Sequence, residues 1–193
     1  MILLLHGLSR CGKDSVANIL ANRFDFVHLK IAGHLKRCAA MLFEIPLEHF
    51  ETNRKDLLDT KWNCTPRQIL KFLGTDVFQF EIEELVPGLK RRFWIDHLHT
   101  QIAENRANRK SIVISDYRFP HEWDSLKHRF PTEVIIVIRV QPLFEGFVPP
   151  KDLDESEKRL PVDLEIENRN WDELNKNIEE MLRTIQRRSP SNH

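Results

Sequence analysis

The 193-residue chain has no net charge, because 29 Lys and Arg offset 29 Asp and Glu. That balance argues against a protein devoted to coating DNA or RNA, which carries a strong basic excess. It leaves room for a local cationic pocket that would hold a small anion. Cysteine is scarce: Cys11, Cys38 and Cys64 are odd in number and show neither CxxC nor Cys/His ligand spacing. Neither a disulfide framework nor a structural zinc site is implied, and a reducing compartment, the cytoplasm, is the expectation. The nine histidines lack HxxxH and HExxH spacing, and His97 and His99, two apart, diverge on a helix and take no role. No apolar run approaches the ~20 residues that cross a bilayer. The run from Met1 to Leu5 lacks the basic segment of a signal peptide, so no membrane partner is expected. There is no internal repeat. What remains is a globular balance, 41% hydrophobic and 30% charged, and one domain over residues 1–188 with a disordered tail at 189–193.

Periodicity gives alternating strands and helices. Met1 to His6 is a continuous apolar run of the kind buried on both faces of a parallel sheet. Ser15 to Arg23 sets Val16, Ile19 and Leu20 at helical spacing. A strand over 26–31, a helix over 35–43 and short helices or a mobile connection over 46–63 follow. Thr65 reads as an N-cap with Pro66 at the first helical position of a helix ending near Gly74. Further helices are expected over 93–105 and 171–187, and further strands over 111–115, 133–140 and 162–167. Four prolines between Pro142 and Pro161 mark a loop or lid. The pattern is that of an α/β sandwich with a mainly parallel sheet, whose chemistry belongs at the carboxyl ends of the strands.

Gly7 to Ser15 fits GxxxxGK between a strand and a helix, the setting this phosphate-binding loop requires. Its glycines let the backbone of Ser9, Arg10, Cys11 and Gly12 wrap a phosphate. The helix N-terminus faces the anion, and Lys13 reaches the outer phosphates. Asp14 stands where Ser or Thr usually binds Mg²⁺. A carboxylate is also a hard oxygen ligand, and Ser15 can then contact a phosphate. The motif points to nucleoside triphosphate binding and is silent about a second substrate.

For that second substrate, Lys36 follows the second strand and could point a charge into the cleft, or could be a solvated helix residue. Asp116 follows the strand at 111–115, where an acidic residue often joins the Mg²⁺ shell, and Arg118 could clamp a phosphate or pair with Asp116. Arg67, Arg91 and Arg92 add cations. Trp94 is either a stacking platform for a base or simply part of the core.

With these segments in hand, the whole chain resembles the deoxynucleoside monophosphate kinases of bacteriophages and large DNA viruses. The matching elements are GxxxxGKD-S (7–15), AGxLK (32–36), TPRQxLxxLGTD (65–76), Phe93-Trp94, DxRFPxE (116–122), DxSE (154–157) and Ile166-Glu167-Asn168. The resemblance implies a P-loop kinase fold, a three-layer α/β/α sandwich with a five-stranded parallel sheet and a short lid near 142–161. It implies ATP and Mg²⁺ as cofactors and transfer of the γ-phosphoryl to a (deoxy)nucleoside monophosphate. Lys13 and the loop amides would hold ATP, with Asp14 and Asp116 at the metal. Arg67, Arg118 and Lys36 would hold the acceptor phosphate, Gly74, Thr75 and Trp94 would lie beside the base, and Lys158 or Arg159 would come from the lid. Nucleotides are then the partners, nucleic acid is not, and a homodimer stays open. Tyr117 departs from the family pattern. The animal-type phosphomevalonate kinases share the GKD loop, GxLK, SDxR and DxxSE elements and rank second. A non-catalytic ATP-dependent switch and a nucleic-acid 5′-end kinase are the other readings.

Overall fold

Five strands form one all-parallel sheet: β1 (Ile2–His6), β2 (Phe26–Leu29), β3 (Ser111–Ile114), β4 (Ile135–Pro142) and β5 (Leu164–Asn168), in the order β2-β3-β1-β4-β5. The computed structural model describes residues 1–149 and 160–188. Its contacts gather the chain into two compact units, residues 1–29 with 102–193, and residues 30–101. The helices are α1 (Lys13–Phe24), α2 (Gly33–Phe43), α3 (Leu47–Glu51), α4 (Pro66–Lys71), α5 (Ile82–Leu85), α6 (Phe93–Ala107), α7 (Pro120–Arg129) and α8 (Trp171–Arg188).

The first unit contains the whole sheet. All five residues of β1 are buried, which is why the run carries no polar alternation until His6. β1 lies between β3 and β4, pairing Ile2 with Ile112 on one side and Ile135 on the other. Leu3, Leu5, Val113, Ile138 and Ile166 pack with Val16 and Leu20 of α1 and with Leu174, Ile178 and Ile185 of α8. Each such side chain contributes roughly 1.5–3 kcal/mol by leaving water. Arg23 ties the two helices together outside this core, donating to Asn175 and Glu179 at 2.6 Å each. Because the connection leaving β1 runs to the β2 side of the sheet and the one leaving its neighbour β3 runs to the β4 side, the carboxyl ends of these two strands flank the topological switch point where ligands bind in such folds.

The second unit is helical, built around Ala39, Ile45, Phe50 and Ile69. Thr65 caps α4 as expected, and the cap is reciprocal: Gln68 N–H donates to Thr65 Oγ1 at 3.2 Å and Thr65 N–H to Gln68 Oε1 at 2.8 Å. That helix does not stop at Gly74. It continues as a π-helical stretch, Phe72–Glu81, and then as α5. Gly74 is buried, and a Cβ there would lie 2.5 Å from Leu35 Cδ2. The glycine therefore serves close packing against α2 rather than helix termination.

Two other expectations need amendment. Helix α7 was not foreseen, since its buried residues are Glu122, Ser125 and Leu126 and two polar side chains of three leave no apolar stripe to read. Strand β4 begins two residues later than expected and runs through Pro142, so the first part of the proposed lid is strand. Among the described residues no helix is long and apolar enough to cross a membrane.

Candidate active site

The loop after β1 is held by the backbone conformations its glycines permit. Gly7 has φ 141° and Gly12 φ 102°, and Arg10 between them sits at φ 66°. Substitution at either glycine is blocked by space as well. A Cβ on Gly7 would be 2.6 Å from the Val140 carbonyl oxygen, and one on Gly12 2.3 Å from Asn168 Nδ2. The curl turns carbonyls inward, and the Lys13 ammonium donates to Gly7 O at 2.6 Å and Leu8 O at 2.8 Å. Cys11 is fully buried, and burial pushes its thiol upward against the opposing pull of Lys13; it packs beneath the loop and is no nucleophile. Ser9 and Ser15 are half-buried and Arg10 is exposed. Asn168, at the end of β5, donates to the Cys11 carbonyl at 3.0 Å and so braces the loop from the sheet.

Asp14 opens α1 with its side chain 62% exposed. Its Oδ1 accepts the Ser115 hydroxyl at 2.6 Å, and Ser115 Oγ lies 2.7 Å from His28 Nε2. Ser115 itself is buried, so a carboxylate at the surface is anchored through a buried hydroxyl to a histidine on β2. Beneath the loop, His6 is buried beside Arg139, whose Nε is 3.3 Å from His6 Nε2. Burial, Arg139 and Lys13 together lower its pKa to about 4, so it is neutral near pH 7.

The turn after β3 carries Asp116, Tyr117 and Arg118. Burial alternates along it: Asp116 is half-buried, Tyr117 buried and Arg118 exposed. Burial raises the Tyr117 hydroxyl pKa further, which marks it as part of the core. Glu122 organises the turn. Its Oε2 accepts the Arg118 N–H at 2.8 Å and the Phe119 N–H at 2.9 Å, reaching back from the first turn of α7 to its N-cap and to the residue before it. Burial raises its carboxyl to about 8 in spite of those bonds.

In the second unit, Arg67 on α4 is exposed and donates to both carboxylate oxygens of Asp56, at 2.5 and 3.1 Å. Lys36 on α2 is mostly covered, with Glu51 at 3.9 Å. Arg91 donates to Gln79 and Arg92 to the Leu89 carbonyl. Gly74 is buried and Thr75 half-buried. Trp94 packs as the core alternative describes. It is 6% exposed, its indole N–H donates to the Gly74 carbonyl at 2.9 Å, and Phe78 and Phe93 meet its ring edge-on. An indole so enclosed packs as part of the core of this unit. Lys158, Arg159 and the DxSE motif lie outside the described residues.

His28, Ser115, Glu122 and Asn168 are the site residues that sequence reasoning left without roles. A profile of the deoxynucleotide monophosphate kinase family matches residues 44–146. A protein of Acanthamoeba polyphaga mimivirus named "Putative deoxynucleotide monophosphate kinase" is 30% identical over 133 residues, covering 66% of this chain and 69% of the relative. The chain belongs to the deoxynucleotide monophosphate kinase family. The family stretch contains Arg67, Trp94, Asp116, Arg118 and Glu122, while the glycine loop at 7–15 lies before it. Among solved structures, a gluconokinase from Sinorhizobium meliloti 1021 is 13% identical with TM-score 0.45, over 97% of this chain and 96% of that one. A dephospho-CoA kinase from Campylobacter jejuni is 16% identical with TM-score 0.47, over 96% and 97%.

Proposed function

We propose that the protein transfers the γ-phosphoryl of ATP to a deoxynucleoside 5′-monophosphate, giving the diphosphate and ADP. The observation that carries this reading is the glycine curl that cups Lys13 at the start of α1, at the sheet's switch point. Membership of a nucleotide kinase family supports it independently, because the family match does not include the loop. The acceptor's phosphate oxygen is already a nucleophile, so the protein has to position and neutralise rather than abstract a proton. Lys13 would leave the Gly7 and Leu8 carbonyls for the β- and γ-phosphates, with the loop N–H groups of residues 9–15 and the α1 dipole on the remaining oxygens. Arg118, exposed on a turn held by Glu122, is assigned to charge on the acceptor or the transferring group. From the second unit, Lys36 and Arg67 are assigned to the acceptor phosphate, and Thr75 with Gly74 to its base. An arginine from the segment around Arg159 would complete the charge balance.

The donor set fits Mg²⁺, which takes hard oxygen ligands and commonly only one or two carboxylates beside phosphate oxygens. Asp14 is a surface carboxylate at the loop and Asp116 a second one on the turn after β3. Bound with ATP, the ion would neutralise charge developing between the β- and γ-phosphates.

The test is ADP release from Mg²⁺-ATP with each deoxynucleoside monophosphate, each ribonucleoside monophosphate and phosphomevalonate in turn. ADP formed with one or more deoxynucleotides is the expected result and sets the base preference. ADP formed only with phosphomevalonate overturns the acceptor assignment. ATP binding with no ADP from any acceptor overturns the enzyme reading altogether.

A further inference from the structure

We infer that His28 is a positioning residue for the metal end of the phosphate site, acting on Asp14 through the Ser115 hydroxyl. The inference rests on the assignment of Asp14 to Mg²⁺ and concerns how that carboxylate is held. His28 Nε2 is 3.8 Å from Asp14 Oδ1, too far for a hydrogen bond. It is 2.7 Å from Ser115 Oγ, which in turn is 2.6 Å from the same carboxylate oxygen. An ionised carboxylate can only accept, and a serine hydroxyl has one proton to give. Ser115 must therefore donate to Asp14, and the hydrogen bond between Ser115 and His28 must take its proton from the imidazole. The chain has one direction, from His28 Nε2–H to Ser115 Oγ–H to the Asp14 carboxylate, and it fixes the tautomer of His28.

Phosphate-loop enzymes commonly pair a hydroxyl on the loop with a carboxylate on the neighbouring strand. Here the loop residue is itself a carboxylate, the exposed Asp14, and a buried hydroxyl, Ser115, stands just after β3 and before Asp116. That arrangement creates a need of its own. With its one O–H directed at Asp14, the enclosed Ser115 oxygen has lone pairs left to accept, and β2 supplies a donor at the position that pairs with Val113 of β3. A second-shell donor of this kind fixes the orientation of a metal-binding carboxylate and strengthens its hold on the ion.

The test measures Mn²⁺ binding by electron paramagnetic resonance, with the full chain and a non-hydrolysable ATP analogue present, beside thermal melts of each variant. His28→Leu should raise the Mn²⁺ dissociation constant by about 10-fold, within the range that outer-sphere partners of metal ligands command. His28→Gln, whose amide N–H reaches the same place, should restore binding to near the wild-type value. Ser115→Ala should weaken binding as His28→Leu does, and adding His28→Leu to Ser115→Ala should cost nothing further. Wild-type Mn²⁺ binding by His28→Leu, with Asp14→Asn impaired, overturns the role of His28 alone. Unchanged binding in Asp14→Asn overturns the metal assignment beneath it. If His28→Leu fails to fold, the pair His28→Gln and Ser115→Ala decides: weak binding by the glutamine variant would equally overturn the inference.

Discussion

Two turns leave the carboxyl ends of neighbouring strands in the first unit, and they are built in opposite senses. After β1, backbone carbonyls of Gly7 and Leu8 close on the Lys13 ammonium. After β3, backbone N–H groups of Arg118 and Phe119 close on the Glu122 carboxyl. The first wraps a cation, and on the proposed function a polyanion would draw that cation outward, its internal contacts giving way to substrate. The second wraps a group buried beyond the reach of any ligand, so its contacts are permanent and the exposed Arg118 is what it presents. One turn is a socket and the other a pedestal.

The largest effect should come from emptying the socket. Lys13→Ala is expected to lower phosphoryl transfer at least ~1,000-fold, since it removes the charge nearest the transferring group. The fold should survive, because the glycine conformations and the Asn168 brace do not depend on the lysine. Kinetics with thermal melts check this, and a variant that still transfers phosphate would reduce the loop to a structural turn. Arg118→Ala should come next, with a loss of about 100-fold in phosphoryl transfer. Nearly normal turnover would show that the pedestal presents nothing of use.

The two turns also differ in how visible they are in the sequence. The socket is written in residue types that have few other reasons to occur together: glycines where φ is positive, then a lysine at a helix start. The sheet was equally legible, because β1, β3 and β4 are apolar runs that only a doubly covered strand explains. Glu122 is an acidic residue in a charged stretch, and nothing local says that it is buried; the helix it begins was missed for the same reason. His28 and Ser115 meet only because β2 pairs with β3, a fact of topology rather than spacing. Gly74 misled in the other direction, since a glycine inside a helix reads as a stop until the neighbour that needs its missing side chain is known. Trp94 stood at the boundary of both readings, and its Gly74 hydrogen bond decided for the core.

A titration separates the turns at a smaller scale. Glu122 has its pKa raised from 4.5 to about 8, so the folded protein keeps a proton that the unfolded chain releases. Its contribution to stability is complete below about pH 4.5 and is lost as pH rises towards 8, by at most ~1.4 kcal/mol per pH unit. His6, beneath the socket, has its pKa lowered from 6.5 to about 4. Its contribution is complete above pH 6.5 and is lost as pH falls towards 4. Urea unfolding across pH 4–8 should show both limbs in the wild type. Glu122→Gln should flatten the alkaline limb alone and His6→Gln the acid limb alone, and parallel curves for wild type and Glu122→Gln would mean that the pedestal's carboxyl is ionised throughout.

The smallest effect is expected where a cation is held by neither device. Arg67 is gripped by the Asp56 carboxylate, and the two side chains are 53% and 40% exposed, so solvent screens the pair and its contribution to stability is under ~1 kcal/mol. Arg67→Ala should therefore leave the urea midpoint almost unchanged. If Arg67 serves the acceptor phosphate, the same substitution raises KM for the nucleotide acceptor and leaves KM for ATP alone. Asp56→Ala should leave both KM values near wild type, because it removes a partner of Arg67 that a phosphate would replace. A stability loss of several kcal/mol in Arg67→Ala, matched by Asp56→Ala, would instead make the ion pair a brace of the second unit and leave the acceptor's charge to Arg118 and Lys36.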